Sequence, residues 1–225
     1  EPASEVLEEK SLTRLQNAIV DPRYKQAGYR HFQNYIGQSN YHLEEIYHYI
    51  CPPPQMVMPM MKALALTEQK TRELSPVIRA AIISFGFVFI HPFLDGNGRI
   101  HRFLIHDILT RDRFVDKDVI IPVSAHIASN IQEYDAALEA YSKPLIKRVQ
   151  FTKDEKGELI ITNPDEVKAY FQYPDLTLQT IFLAKAIKET ITQDLSEELL
   201  FLERYDELKK ELLQLVDMPD KRAND

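Results

Sequence analysis

One cysteine, Cys51, stands in the whole chain of 225 residues. That excludes an internal disulfide framework and leaves the fold to be held by its core. No apolar stretch reaches transmembrane length and no N-terminal signal segment is visible, so no membrane span is expected and the sequence reads as cytoplasmic. Lysine and arginine never cluster densely enough to track a phosphate backbone, and 27 basic residues against 34 acidic ones leave a net charge of −7. Neither nucleic acid nor membrane is therefore an expected partner. No internal repeat and no long low-complexity tract stands out. The chain opens on Glu1 rather than Met, and further sequence upstream is expected. What is present is enough sequence for one sizeable core, with a smaller unit appended.

Residues 91–102 read His-Pro-Phe-Leu-Asp-Gly-Asn-Gly-Arg-Ile-His-Arg. A polyphosphate cradle needs backbone N–H groups aimed at the anion, and Gly96-Asn97-Gly98 supplies a loop running into a helix N-terminus. The positive end of that helix faces the phosphates. Asp95, just before the cradle, is placed to hold Mg²⁺. Arg99 and Arg102 are three apart on the helix that follows, so they share a face and can reach one bound group. His91 is a candidate proton acceptor for an attacking hydroxyl, because an ordinary imidazole is largely neutral near pH 7. Taken singly these residues are a helix end and a turn. As a contiguous set they describe a nucleotide site.

His91, Phe93, Asp95, Gly96, Asn97, Gly98, Arg99 and Arg102 match every specified position of H-x-F-x-(D/E)-G-N-G-R-x-x-R, and in this the chain resembles the Fic (filamentation-induced-by-cAMP) family. The resemblance implies a protein adenylyltransferase, an AMPylator that moves AMP from ATP-Mg²⁺ to a target hydroxyl and releases pyrophosphate. It implies His91 as base, Asp95 as the metal ligand, Gly96, Asn97 and Gly98 as the anion hole, and Arg99 and Arg102 on the outer phosphates. Phe93 is the implied core anchor of the loop. Gly98 favours AMP transfer over kinase-like chemistry, since relatives that use the nucleotide otherwise tend to carry another residue, such as lysine, there. The alternatives are a Fic-fold enzyme that transfers another phosphate-linked group or removes AMP, and a silent nucleotide-binding interaction module.

The implied architecture is all-α: a Fic-type helical core with a β-hairpin flap, plus a small hairpin and a C-terminal helical appendage. Residues 1–147 read as the core and 148–225 as the appendage, with the flap at about 35–54. Ser75-Pro76 reads as a helix start, and the apolar run Val77 to Ile90 as the buried central helix, stopped by Pro92. The next helix carries Ile100, Phe103, Leu104, Ile108 and Leu109 as its inward stripe. His101 and His106 are five apart, on different helix faces, which disfavours a zinc site and reads as solvated or hydrogen-bonded residues.

The alternating tyrosines and isoleucines of residues 29–50, followed by Pro52-Pro53-Pro54, resemble the flap, where a target protein docks by strand pairing. A helix over 127–141 puts Asn130 and Tyr134 on one face, resembling the family's nucleotide-base contacts; a core tyrosine beside a solvated asparagine accounts for the same spacing. Val149 to Thr162 reads as the second hairpin. Asp194 with Glu197 reads as a capped helix start, with Leu199, Leu202, Leu208, Leu212 and Leu215 as a packing stripe that leaves a homodimer contact open. The family's inhibitory (S/T)-x-x-x-E-(G/N) pattern has no full match. Ser4 to Glu8 begins it, but Glu9 follows. An inhibitory segment or antitoxin outside this chain is therefore left open, and in its absence constitutive activity is expected.

Overall fold

The computed structural model describes residues 5–39, 41, 45–115, 120–194 and 204. The fold is helical with two small hairpins, as the resemblance implies. Eleven residues of α3 (Pro76–Ile90) are buried, from Arg79 to Ile90 with one gap, because the segment is apolar on nearly every side. It forms the axis of the molecule, against which α2 (Pro54–Lys70), α4 (Asn97–Arg111) and α8 (Thr177–Glu189) pack.

The two polar residues inside α3 fare differently. Arg79 is paired with Glu68 of α2 at 3.2 Å and with Asp112 just after α4, tying three helices together about 18 Å from His91 along the helix axis. Ser84 is buried with no hydrogen-bond partner for its hydroxyl.

α1 (Glu9–Ile19) lies against α4 and seals the rear of the loop between α3 and α4. β1 (Tyr35–Ser39) and β2 (Glu45–Ile50) form the antiparallel flap, with an irregularity between Ile36 and Gly37. Gly37 is required there, since a β-carbon would strike the Ile46 carbonyl. Cys51 follows β2 and is wholly buried, and burial raises its thiol to about 12. The three prolines end the flap, and Pro54 opens α2 at the position where its missing N–H costs nothing.

One helix was expected over 127–141, but two are found: α5 (Val123–Ser129) and α6 (Ile131–Ile146). Asn130 stands at the break with φ −118° and ψ 44°, and its side chain folds back to donate to the His126 carbonyl at 3.0 Å. Asparagine competes with the helix ladder in this way, which a periodicity argument misses.

β3 (Phe151–Lys153) and β4 (Leu159–Ile161) form the second hairpin, followed by α7 (Pro164–Gln172), α8 and a π-helical turn, Thr190–Asp194. Leu159, Ile161, Val167, Phe171, Phe182 and Leu183 join the same buried cluster as α2 to α4, so the core continues past residue 147. Asp194, expected to open a helix together with Glu197, instead ends the π-helical turn with a carboxylate oxygen 2.8 Å from His126 Nδ1; Glu197 and the leucine stripe after it lie outside the described residues. Among the described residues no helix is long and apolar enough to cross a membrane.

His101 corrects an expectation. Rather than solvated, it is fully buried against Phe85 (ring centroids 4.7 Å) and Tyr134 (5.8 Å). Its ring nitrogens make no hydrogen bond of ordinary geometry. Burial holds its pKa down at about 4, with the Ser84 backbone opposing and Arg102 adding to the shift. Above pH 6.5 this contributes nothing to pH dependence; below it the unfolded chain takes up a proton that the folded chain refuses, so stability falls as pH falls toward 4. The expected loss from His101 is about 2 kcal/mol at pH 5. Thermal unfolding at pH 7 and pH 5 checks it, with His101→Met expected to lose markedly less than the unsubstituted chain.

Candidate active site

The loop between α3 and α4 begins where Pro92 denies His91 a helical backbone. His91 adopts a left-handed conformation, φ 53° and ψ 59°, while its N–H still donates to Phe87 at 3.0 Å. Its ring Nδ1 lies 3.1 Å from the Val88 carbonyl. A carbonyl can only accept, so Nδ1 carries the proton and Nε2 keeps its lone pair. Burial lowers the imidazole to about 4; the Val88 bond and Asp95 oppose that shift and Arg30 reinforces it. His91 is therefore neutral at pH 7.

Phe93 plugs into the core with no exposure and meets the Tyr29 ring edge-on at 5.5 Å. The buried Asn97 side chain closes the loop on itself: Oδ1 accepts from the Phe93 N–H at 3.0 Å and Nδ2 donates to the Phe93 carbonyl at 2.8 Å. Gly96 starts α4 at φ 90°, with Val20 of the segment after α1 only 2.9 Å from where a β-carbon would stand. No side chain caps this helix. The first helical bond is Ile100 N–H to the Gly96 carbonyl, so the N–H groups of Asn97, Gly98 and Arg99 have no acceptor four residues earlier in the helix. A β-carbon at Gly98 would meet nothing nearer than the Arg102 guanidinium at 3.8 Å, so the space before these amides is open.

His91, Asp95, Gly96, Asn97, Gly98, Arg99 and Arg102 line one cavity of about 240 Å³. The two arginines stand differently within it. Arg99 donates to Asp95 at 3.1 Å and to the Ile19 carbonyl. Arg102 forms no ion pair among the described residues. Asp95 is partly exposed, one oxygen accepting from Gly96 N–H at 2.6 Å and the other from Arg99, which leaves lone pairs on both.

The Fic/DOC family model matches residues 6–109, which contain this whole constellation. Residues 6–109 belong to the Fic/DOC family. Over 87 residues, 38% of its length, the chain is 38% identical to the protein adenylyltransferase fic-1 of Caenorhabditis elegans, covering 16% of that protein. Over 57 residues it is 42% identical to the protein adenylyltransferase Fic of Drosophila grimshawi, covering 25% of the chain and 11% of the relative. The chain thus spans a small part of the curated relatives it matches. A Fic family protein from Desulfovibrio desulfuricans G20 shares the fold, with a TM-score of 0.51 and 20% identity over 85% of this chain and 49% of that one.

Several residues that hold the Fic loop escaped the sequence reading. Arg30, 2% exposed, is the chief of them. Its Nε donates to the His91 carbonyl at 2.8 Å, Nη1 to Phe32 at 2.9 Å, and Nη2 to Pro52 at 2.8 Å and Ile90 at 3.3 Å. Its backbone N–H reaches the Pro92 carbonyl at 2.8 Å. Gln16 of α1 donates to the Asp95 carbonyl at 3.3 Å, Gln26 accepts from Leu94 N–H at 2.7 Å, and Asn34 donates to the Phe93 carbonyl at 3.3 Å. No spacing rule links these residues to the loop, because each acts across at least 59 residues of chain.

Asn130 and Tyr134, expected to border the nucleotide base, do not line this cavity. Tyr134 is buried among Phe85, His101 and Phe182, and the Asn130 amide is engaged with His126. In the near-match to the inhibitory pattern, Glu8 stands at the N-cap of α1, the Glu9 that breaks the pattern accepts from the Tyr29 N–H at 2.9 Å, and Ser4 lies outside the described residues.

Proposed function

We propose that this chain is a protein AMP-transferase, moving AMP from ATP to a hydroxyl side chain of a target protein with release of pyrophosphate. The observation that carries the reading is one cavity with three parts: uncapped amides at the start of α4, Arg102 beside them without an ion-pair partner among the described residues, and a neutral His91 whose Nε2 is the free nitrogen. In the proposed reaction the target hydroxyl attacks the α-phosphorus in line, His91 Nε2 takes its proton, and the bond to the leaving pyrophosphate breaks. The amides of Asn97, Gly98 and Arg99 meet the charge that develops on the phosphate oxygens. Arg102 orients the outer phosphates, joined by Arg99 once it leaves the Ile19 carbonyl.

The residues present also fit Mg²⁺. Asp95 would hold it, and the ion would neutralise phosphate charge when bound. A second cavity, of about 250 Å³, lies against the last turn of α3, walled by Ile36, Val88, Phe89 and Leu138, with His48, Asp135, Glu139 and Ser142 as polar groups. Flat apolar walls with a few acceptors suit a purine base, which supports a nucleotide donor.

Incubation with a cell lysate, Mg²⁺ and ATP labelled at either the α or the γ phosphorus tests the proposal. Beyond the label found with lysate alone, added protein-bound label is expected from the α position and none from the γ position, with product masses raised by one AMP. Retained γ label would mean phosphoryl transfer instead. No retained label from either would overturn AMP transfer from ATP and leave a different donor, AMP removal or a silent nucleotide site.

A further inference from the structure

β2 turns one face toward the body of the protein, and its alternate residues Glu45, Tyr47 and Tyr49 meet three different supports. Tyr49 is buried, its hydroxyl donating to the Phe89 carbonyl at 2.5 Å and its ring 6.1 Å from that of Tyr141. Tyr47 meets the Phe151 ring edge-on at 5.1 Å and the Tyr35 ring of β1 at 4.9 Å. The Glu45 carboxylate accepts from Lys153 Nζ at 2.8 Å and from the Tyr47 hydroxyl. The outer two supports both come from β3, where Phe151 and Lys153 also alternate and so share a face. Their cross-strand partners Ile161 and Leu159 are buried, which anchors that hairpin in the core.

A two-stranded hairpin with every residue of β1 exposed has little of its own to hold it in place. An exposed ion pair adds modestly, and edge-to-face rings add more. Together they give the outer half of the flap a fixed seat.

We infer that Phe151 and Lys153 are positioning residues for the flap: the second hairpin, beyond the stretch matched to the Fic domain, sets where the flap's outer half stands and thereby how well an acceptor protein is engaged. The seat itself rests on geometry; its consequence for the acceptor rests on the transfer reading.

Hydrogen exchange of the flap amides, residues 35–39 and 45–50, reads the seat directly in the whole chain. Lys153→Glu or Glu45→Lys alone is expected to speed exchange about threefold. Phe151→Ala is expected to speed it about tenfold. The α3 and α4 amides should stay unchanged throughout. The double charge exchange, Lys153→Glu with Glu45→Lys, is expected to return the flap to its original rate. In parallel, with α-labelled ATP, the lysate protein concentration giving half-maximal labelling should rise in the single variants while the maximal rate holds. Flap exchange that ignores all three single variants, a rise spread equally through α3 and α4, or failure of the double variant to recover would each overturn the inference. If the unsubstituted chain labels nothing, the transfer reading fails and exchange still decides the seat.

Discussion

Replacing His91 by alanine is expected to slow AMP transfer by about two to four orders of magnitude while ATP binding changes little. In the proposed reaction the imidazole would take the proton of the acceptor hydroxyl, whereas the α4 amides and Arg102, which line the same cavity, would meet the phosphates. Because Nδ1 donates to the Val88 carbonyl, Nε2 is the nitrogen left to meet an acceptor hydroxyl. Burial lowers His91 to about 4, so the base stays unprotonated well below the usual imidazole range. As pH falls, the rate of the unsubstituted chain should therefore hold through pH 6.5 and drop only as pH nears the lowered value. Single-turnover transfer across pH and equilibrium binding of a non-hydrolysable ATP analogue check both statements. Loss of binding in step with transfer would make His91 a nucleotide-holding group instead.

The other large effect belongs to a residue outside the signature. Arg30→Met should destabilise the chain by about 4 kcal/mol, because four carbonyls, two of them in buried bonds and two in part-buried ones, lose their donor at once. Arg30→Lys should recover only part of that, since a single ammonium cannot span the Pro52 carbonyl at the flap exit and the Ile90 and His91 carbonyls at the end of α3. Urea unfolding measures the loss. Stability within about 0.5 kcal/mol of the unsubstituted chain, the usual range for a neutral surface change, would show that Arg30 is dispensable to the loop.

The parts of this site that could be read from sequence are those whose chemistry is contiguous. His91, Asp95, Gly96, Gly98, Arg99 and Arg102 lie within twelve residues and reach one cavity because one loop and the first two turns of α4 carry them. Asn97 was legible in place but not in full role: beyond its backbone amide, its side chain bridges both backbone groups of Phe93 and fixes the loop. The loop's supports were not legible, since Arg30, Gln16, Gln26 and Asn34 act through backbone carbonyls and amides that leave no side-chain pattern to detect. Pro76 to Ile90 could be identified because it is apolar all round, and its start and stop fall on the prolines that mark them. The break at Asn130 was hidden because helical spacing continues across it, and only the side chain's return to the His126 carbonyl reveals the interruption. His101 was misjudged for a related reason: a polar residue at the inward edge of α4 looks exposed until the rings of Phe85 and Tyr134 close over it.

The seat of Cys51 has a practical consequence. With its sulfur shut away from solvent and reluctant to ionise, the only native thiol should ignore maleimides and spin-label reagents. A cysteine introduced at Ser39 on the hairpin would then carry a spin label alone, whose line shape would report how freely that arm moves in an otherwise unaltered background.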